Sequence, residues 1–230
     1  ITGGHQQYTW RQIETADGVY NWTEVDVFLG GQDMQGKGAG LGFVAYLGRI
    51  LGGLAIPQWL TTAHPNVVVN CGGWEIPRYW DSDYQAYYRR FLQAAAARYN
   101  GDVRLDWLQI GVGVYGEYQP ADDDGVGGAN DTTCIMNAMS ADFGIPVGDT
   151  GALSAKWTDI VNQITAMHAA VWTKPLFTQY APSFIRRCER LDVTTYAANL
   201  VTSTVGFFAA GLLPDQNDVI NPFGQTGCGK

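Results

Sequence analysis

The stretch that most constrains this chain is residues 105–120, LDWLQIGVGVYGEYQP. Leu108, Ile110, Val112 and Val114 alternate with Trp107, Gln109, Gly111 and Gly113, so both faces are largely uncharged. That is the pattern of a parallel strand covered on both sides. Glycines inside a strand weaken it and mark places where another backbone or a ligand comes close. The run ends in Gly113-Val114-Tyr115-Gly116-Glu117-Tyr118, a lone carboxylate among aromatics and glycines. A carboxylate just past the C-terminal end of such a strand sits where α/β barrels place their chemistry. Its plainer role is to accept hydrogen bonds from a loop.

Around this strand the sequence alternates strand and helix patterns, which implies a parallel sheet with right-handed crossovers. Residues 6–10 are aromatic and β-prone and lead to an Asp17-Gly18 turn. Asn21 followed by Glu24 has capping-box spacing and opens a helix through Val25, Phe28 and Leu29. A strand is expected at 41–47, and residues 48–80 read as a long irregular segment holding Trp59, Trp74, Tyr79 and Trp80. Asp81 or Ser82 caps the clearest helix, with Tyr84, Tyr88, Phe91, Leu92, Ala95 and Tyr99 at helical spacing, stopped by Asn100-Gly101. After the central strand, residues 119–150 read as a loop and 152–171 as an amphipathic helix carrying His168 beside its apolar face, a core or rim position. Strands are expected at 176–180, 191–196 and 205–210, with a helix at 197–204 and a turn-rich tail from 212.

Composition excludes several classes of function. The net charge is -8 and only 16% of residues are charged, with 29 Gly, 8 Trp and 12 Tyr among 230. No basic stripe is present to neutralise phosphates, which argues against nucleic acid and anionic membrane as partners. Neither a GxGxxG after a strand nor a GxxxxGK[ST] occurs, so nothing marks a nucleotide cofactor, and no cofactor is expected. Cys71, Cys134, Cys188 and Cys228 form no CxxC and have no neighbouring His, which argues against zinc. The Asp122-Asp123-Asp124 run lacks the spaced oxygens and final Glu of a calcium loop, so no metal is expected. The cysteines fit one or two disulfides in an exported, extracellular or cell-surface protein, and Asn21 and Asn130 begin glycosylation sequons. Residues 196–214 carry no charge, but Asn199, Thr202, Ser203 and Thr204 interrupt them with polar groups and argue against a membrane span. Aromatic richness with low charge suits either a packed core or a partner that is neutral and partly apolar, such as sugar rings.

Three further segments carry a family resemblance. Residues 8–14 (YTWRQIE), then Asp17-Gly18-Val19-Tyr20-Asn21-Trp22 and Val25-Asp26, resemble the opening of (β/α)8-barrel glycoside hydrolases of the β-galactosidase-like clan. Ile56-Pro57-Gln58-Trp59-Leu60 resembles the "proline, one residue, Trp-Leu" element after their third strand. Residues 113–118 fall where they carry the acid/base glutamate, at the end of strand four. The resemblance covers about residues 8–119, half the chain. It implies an α/β fold, a (β/α)8 TIM barrel of which about strands two to six are present in one partial barrel domain over 1–230. It also implies cleavage of O-glycosidic bonds, with retention if the family mechanism holds.

Two departures accompany it. The clan carries Asn before the acid/base, and here that residue is Gly116, as in a branch with a Gly-Glu signature. The nucleophilic glutamate of strand seven has no counterpart, so the chain reads as part of a larger protein, with another chain or a missing segment expected to cover open sheet edges.

The expected acid/base is Glu117, with burial between Tyr115 and Tyr118 expected to raise its pKa. Trp10, Trp59, Trp74 and Trp80 are candidate sugar platforms, because an aromatic face stacks on the apolar face of a pyranose. Tyr115, Tyr118, Gln179 and Tyr180 are candidate cleft residues. Glu14, beside Arg11, reads as a structural ion-pair or capping partner, and Glu75 as a solvated loop charge. The rival reading is a non-catalytic extracellular protein that binds glycans or builds an assembly on a degenerate barrel.

Overall fold

Five strands run parallel and lie side by side in chain order, which is the signature of a sheet that winds in one direction. The computed structural model describes residues 3–121, 130–179, 183–186, 188–200 and 205–208. In chain order these are β1 (Gly3–Thr9), a one-turn α1 (Trp10–Ile13), a small antiparallel pair β2 (Glu14–Ala16) and β3 (Val19–Tyr20), α2 (Thr23–Asp33) and β4 (Gly38–Val44). Then come α3 (Gln58–Ala63), a 3-10 turn at Pro65–Val67, a hairpin of β5 (Val68–Cys71) and β6 (Trp74–Pro77), α4 (Ser82–Tyr99) and β7 (Leu105–Ile110). The chain continues with α5 (Asp131–Phe143), α6 (Thr150–Val171), β8 (Leu176–Gln179), α7 (Glu189–Ala198) and β9 (Val205–Phe208). The sheet order is β1-β4-β7-β8-β9. Sequential parallel strands joined by helices make the wall of a partial (β/α)8 barrel.

The helices cover the convex side. Helix α4 starts where Asp81 accepts hydrogen bonds from the backbone N–H groups of Asp83 and Tyr84, and it buries Tyr84, Tyr88, Phe91, Leu92, Ala95 and Tyr99. Phe91 packs edge-on to Phe43 of β4 (ring centroids 5.2 Å apart) and against Trp10 and Trp22. Each such side chain contributes about 1.5–3 kcal/mol by leaving water. The concave side is different. His5, Trp107 and Phe177 keep part of their surface exposed there, with His5 stacked on Trp107 at 4.7 Å and Trp107 edge-on to Phe177 at 5.0 Å. A side chain at Gly40 would run into the Trp107 ring and one at Gly206 into Phe177, so these strand glycines make room for large neighbours in the next strand.

Several segments differ from the sequence expectations. Residues 191–196, rich in the β-branched and aromatic types that favour strands, lie in α7, because Glu189 at its start collects the backbone N–H groups of Phe184, Ile185 and Arg186 and fixes a helical entry. Of the expected helix at 197–204, the first two residues end α7, Asn199 and Leu200 leave the helix, and residues 201–204 lie outside the described residues. The loop expected at 119–150 contains α5, capped by Asn130, whose side chain accepts from Thr133 N–H, and ended by Gly144 in the left-handed region (φ 65°). Residues 48–80 hold α3 and the β5–β6 hairpin rather than an irregular coil. At α2 the N-cap is Trp22, and Asn21 instead accepts from Thr23 N–H at 3.1 Å. The disulfide Cys71–Cys134 ties the hairpin to α5, and among the described residues no cysteine is free. Among the described residues no helix is long and apolar enough to cross a membrane.

Candidate active site

All five sheet strands end at one rim, and a cleft of ≈ 640 Å³ opens there. Thr9 closes β1, Val44 closes β4 and Gln179 closes β8, while Tyr115 and Glu117 follow β7; all five residues line it. Strand β7 stops at Ile110, and residues 111–120 then fold into a tightly pinned loop. A side chain at Gly111 would strike the Phe43 carbonyl, and one at Gly113 the Gln119 carbonyl, so the glycines read from sequence as close-approach points are close to backbone. Glu117 N–H donates to Val114 O (2.8 Å), Gly113 N–H to Glu117 O (2.8 Å), and Val114 N–H to Gln119 O (3.0 Å). From outside, Trp157 Nε1 of α6 donates to Tyr118 O (2.8 Å), and Tyr79 donates to Pro120 O (2.8 Å). Two consecutive residues, Tyr115 (φ 54°) and Gly116 (φ 80°), hold the left-handed conformation that turns the chain toward the cleft.

Glu117 is half-buried. Its Oε1 accepts from Gln179 Nε2 at 2.6 Å and its Oε2 from Gln119 Nε2 at 3.1 Å. Behind it lies a row of amides that sequence reading missed. Gln109 Nε2 donates to Gln179 Oε1 (3.2 Å) and more weakly to Tyr115 O (3.4 Å), and Gln7 Nε2 donates to Gln109 Oε1 (2.7 Å). His5 also hydrogen-bonds Gln109. Although one side of the His5 ring meets solvent, burial of the remainder lowers its pKa, partly offset by the bond to Gln109. The available signal was weak: Gln7 and Gln109 are ordinary polar positions in alternating strands, 102 residues apart.

The helical side braces the same loop. Tyr88 donates to Gly111 O at 3.0 Å and lies 3.4 Å from His168 Nε2. Burial raises the Tyr88 pKa and lowers that of His168 to about 4, so His168 is a neutral core residue at pH 7. At the rim, Arg49 forms a buried ion pair with Asp131 at the start of α5, donates to Cys71 O at 2.7 Å and lies over the Trp74 ring.

The structure brings Glu117, Tyr115 and Gln179 together in the cleft. Other expected contact residues lie elsewhere. Trp10 is fully buried, because Thr9 and Gln12 form a capping box that turns it inward, where its Nε1 donates to Glu14 (2.7 Å); no sugar can reach the ring. Tyr118 is in the core, 5% exposed. Trp59 sits on α3, edge-on to Tyr87 with Arg90 above it. Trp80 donates to Asp142 and packs on Phe143. Trp74 is on the β5–β6 hairpin. None of these five lines the cleft. Tyr180 lies outside the described residues, as do Asp122, Asp123 and Asp124. Glu14 is a structural residue, as its sequence context implied, but its partners are Arg90, Trp10 and the Gly18 N–H rather than Arg11. Glu75 is exposed. Among the described residues no group of three His, Cys, Asp or Glu side chains is placed to hold a metal ion.

The Gly-for-Asn departure has a physical cause. At φ 80°, a Cβ on residue 116 would be strained and would sit 2.6 Å from Gln109 Nε2. The space that a larger residue would need is filled by the Gln109 amide.

No family model matches the sequence, and no curated protein does. Solved structures do. The catalytic domain of β-amylase from Paenibacillus polymyxa aligns with a TM-score of 0.66 at 11% identity, over 89% of this chain and 69% of that one. A β-galactosidase from the Antarctic haloarchaeon Halorubrum lacusprofundi aligns with a TM-score of 0.51 at 13% identity, over 90% of this chain and 36% of that one. The chain thus spans about two thirds of one neighbour and little more than a third of the other. At such identities the likeness is one of fold, and the fold is a partial (β/α)8 barrel similar to those of these two glycoside hydrolases.

Proposed function

We propose that this chain forms part of a glycoside hydrolase that cleaves O-glycosidic bonds, with Glu117 as its acid/base. The observation that carries this reading is the position of Glu117. It is half-exposed in a cleft at the C-terminal rim of a parallel barrel wall, where barrel enzymes keep their catalytic groups. Its carboxyl is held by two amide donors, and its backbone is fixed by the loop, so it is preorganised. With retention, a protonated Glu117 hands its proton to the leaving glycosidic oxygen as the C–O bond breaks and a partner carboxylate bonds to the anomeric carbon. Glu117 then takes a proton from the water that displaces that carboxylate. With inversion, the partner carboxylate takes the proton of the water that attacks the anomeric carbon directly. The partner carboxylate stands ~5–5.5 Å away if configuration is retained and ~6.5–9.5 Å if inverted. We assign it to a part of the protein beyond the described residues, on a segment that also completes the barrel. Tyr115 offers an aromatic face, and Gln179 a second polar contact, to a carbohydrate. An extracellular or cell-surface setting is supported by the Cys71–Cys134 disulfide.

Glu117→Gln keeps the shape but offers one accepting oxygen where the carboxyl offers two, to Gln179 and Gln119, and it removes the transferable proton. In the whole protein, screened on 4-nitrophenyl and alkyl glycosides of neutral sugars, turnover is expected to fall by about 10²–10⁴-fold. Unchanged turnover removes the assignment. One observation favours the rival reading, a non-catalytic glycan binder: among the described residues lining the cleft, Glu117 is the one carboxylate. Glycan binding by a wild-type protein without turnover selects that reading.

A further inference from the structure

We propose that Gln109 is a positioning residue for Glu117, acting through Gln179. This goes beyond the acid/base assignment and rests on it only for its kinetic consequence. Gln179 presents its nitrogen to Glu117 Oε1 at 2.6 Å, an oxygen that accepts in the carboxylate and still accepts when the other oxygen carries the proton to be transferred. The Gln179 oxygen then faces Gln109, which has to present a nitrogen in turn, at 3.2 Å. The Gln109 oxygen is left to accept from Gln7, at 2.7 Å. A lone glutamine amide can flip, but in this series only one orientation of each satisfies the whole row. Gln109 is fully buried, so its amide cannot turn to water, and Gln179 meets the cleft with only 6% of its surface.

The backbone clears a path for the row. Gln7 belongs to β1 and Gln109 to β7, with β4 between them. They meet because β4 has Gly42 at the crossing point; a Cβ there would lie 2.8 Å from Gln109 Oε1 and 3.1 Å from Gln7 Cγ. At the other end, Gly116 leaves the space that Gln109 Nε2 fills. Two glycines on different elements therefore bound the seat of one amide. An interior glutamine that merely satisfies itself needs neither.

The test replaces Gln109 by methionine, which keeps length and volume and removes the polar atoms. In the ¹⁵N-labelled whole protein, the Gln179 side-chain amide is followed by its proton exchange with solvent, its signal assigned by loss in Gln179→Glu. Exchange is expected to quicken by about tenfold or more in Gln109→Met, with a single cooperative melt as evidence of folding. Gln7→Met, at the half-exposed start of the row, is expected to quicken it by about threefold, and is the variant read if Gln109→Met does not fold. An unchanged Gln179 signal in whichever variant folds overturns the proposal. With a 4-nitrophenyl glycoside that the wild type hydrolyses, Gln109→Met is expected to lower kcat by about tenfold or more while KM stays within about twofold, because the fault is in alignment. The two readings fail separately: faster exchange with a fully active Glu117→Gln variant removes the hydrolase role and keeps the positioning role. An unchanged exchange rate with an inactive Glu117→Gln variant does the reverse.

Discussion

The two faces of the sheet are built on different principles. The convex face is dry and aromatic: Trp10, Phe43, Tyr84, Tyr88 and Phe91 are fully buried under α4 and α6. The concave face is lined by glycines, glutamines and part-exposed rings, and its one charged group at the rim is Glu117, among the described residues of the cleft. Packing on the convex side supplies stability, while hydrogen bonds on the concave side fix orientation. A barrel can therefore keep its wall and vary its mouth.

The largest expected effect separates the faces by size. Phe91→Ala removes a fully buried ring that touches Trp10, Trp22, Phe43 and Tyr88, and is expected to cost about 3–5 kcal/mol in urea unfolding. Phe177→Ala, half-exposed on the concave side, is expected to cost only about 1–2 kcal/mol. Equal costs break the comparison.

The next effect is in pH. An unfolded histidine titrates near 6.5, whereas buried His168 titrates at about 4. Between these values the unfolded chain holds a proton that the folded chain lacks. The stability due to neutral His168 is therefore complete above pH 6.5, declines as pH falls towards 4, and levels off below it, a loss of roughly 3 kcal/mol. Unfolding curves from pH 7 to 4 check this, and His168→Gln is expected to flatten that part of the profile.

The smallest effect is at the mouth. Gly116→Ala places a Cβ at φ 80° against the Gln109 amide and is expected to cost about 1–3 kcal/mol. Gly144→Ala, at φ 65° with open space around it, carries backbone strain alone and is expected to cost less. The gap between the two, from thermal melts, isolates the crowding by Gln109.

The convex face was also the more legible one. The helical spacing of Tyr84, Tyr88, Phe91 and Tyr99 with Asp81 before them describes α4 almost residue for residue. Local pattern suffices when one face of an element is apolar and its cap is a single side chain. It misleads at α7, where Leu191-Asp192-Val193-Thr194-Thr195-Tyr196 has strand-like composition and the deciding contact comes from Glu189 reaching back to residues 184–186. The place of Glu117 in the rim cleft was readable because a carboxylate after an apolar, glycine-rich strand is unusual. Trp10 was misplaced as a sugar platform because aromatic type says nothing of direction, although Thr9 and Gln12 spell the capping box that turns it inward. The glutamine row was illegible, since it depends on the register of three strands and on the vacancies left by Gly42 and Gly116.

The most direct test of the central claim is the leaving-group dependence of Glu117→Gln. A glycoside with a 2,4-dinitrophenol leaving group departs as a stable anion and needs no proton, whereas an alkyl alcohol does. If Glu117 is the acid, kcat/KM, which reports the bond-breaking step, falls about 10²–10⁴-fold in the variant on the alkyl glycoside and is nearly unchanged on the dinitrophenyl one. Equal losses on both substrates, or none on either, contradict it.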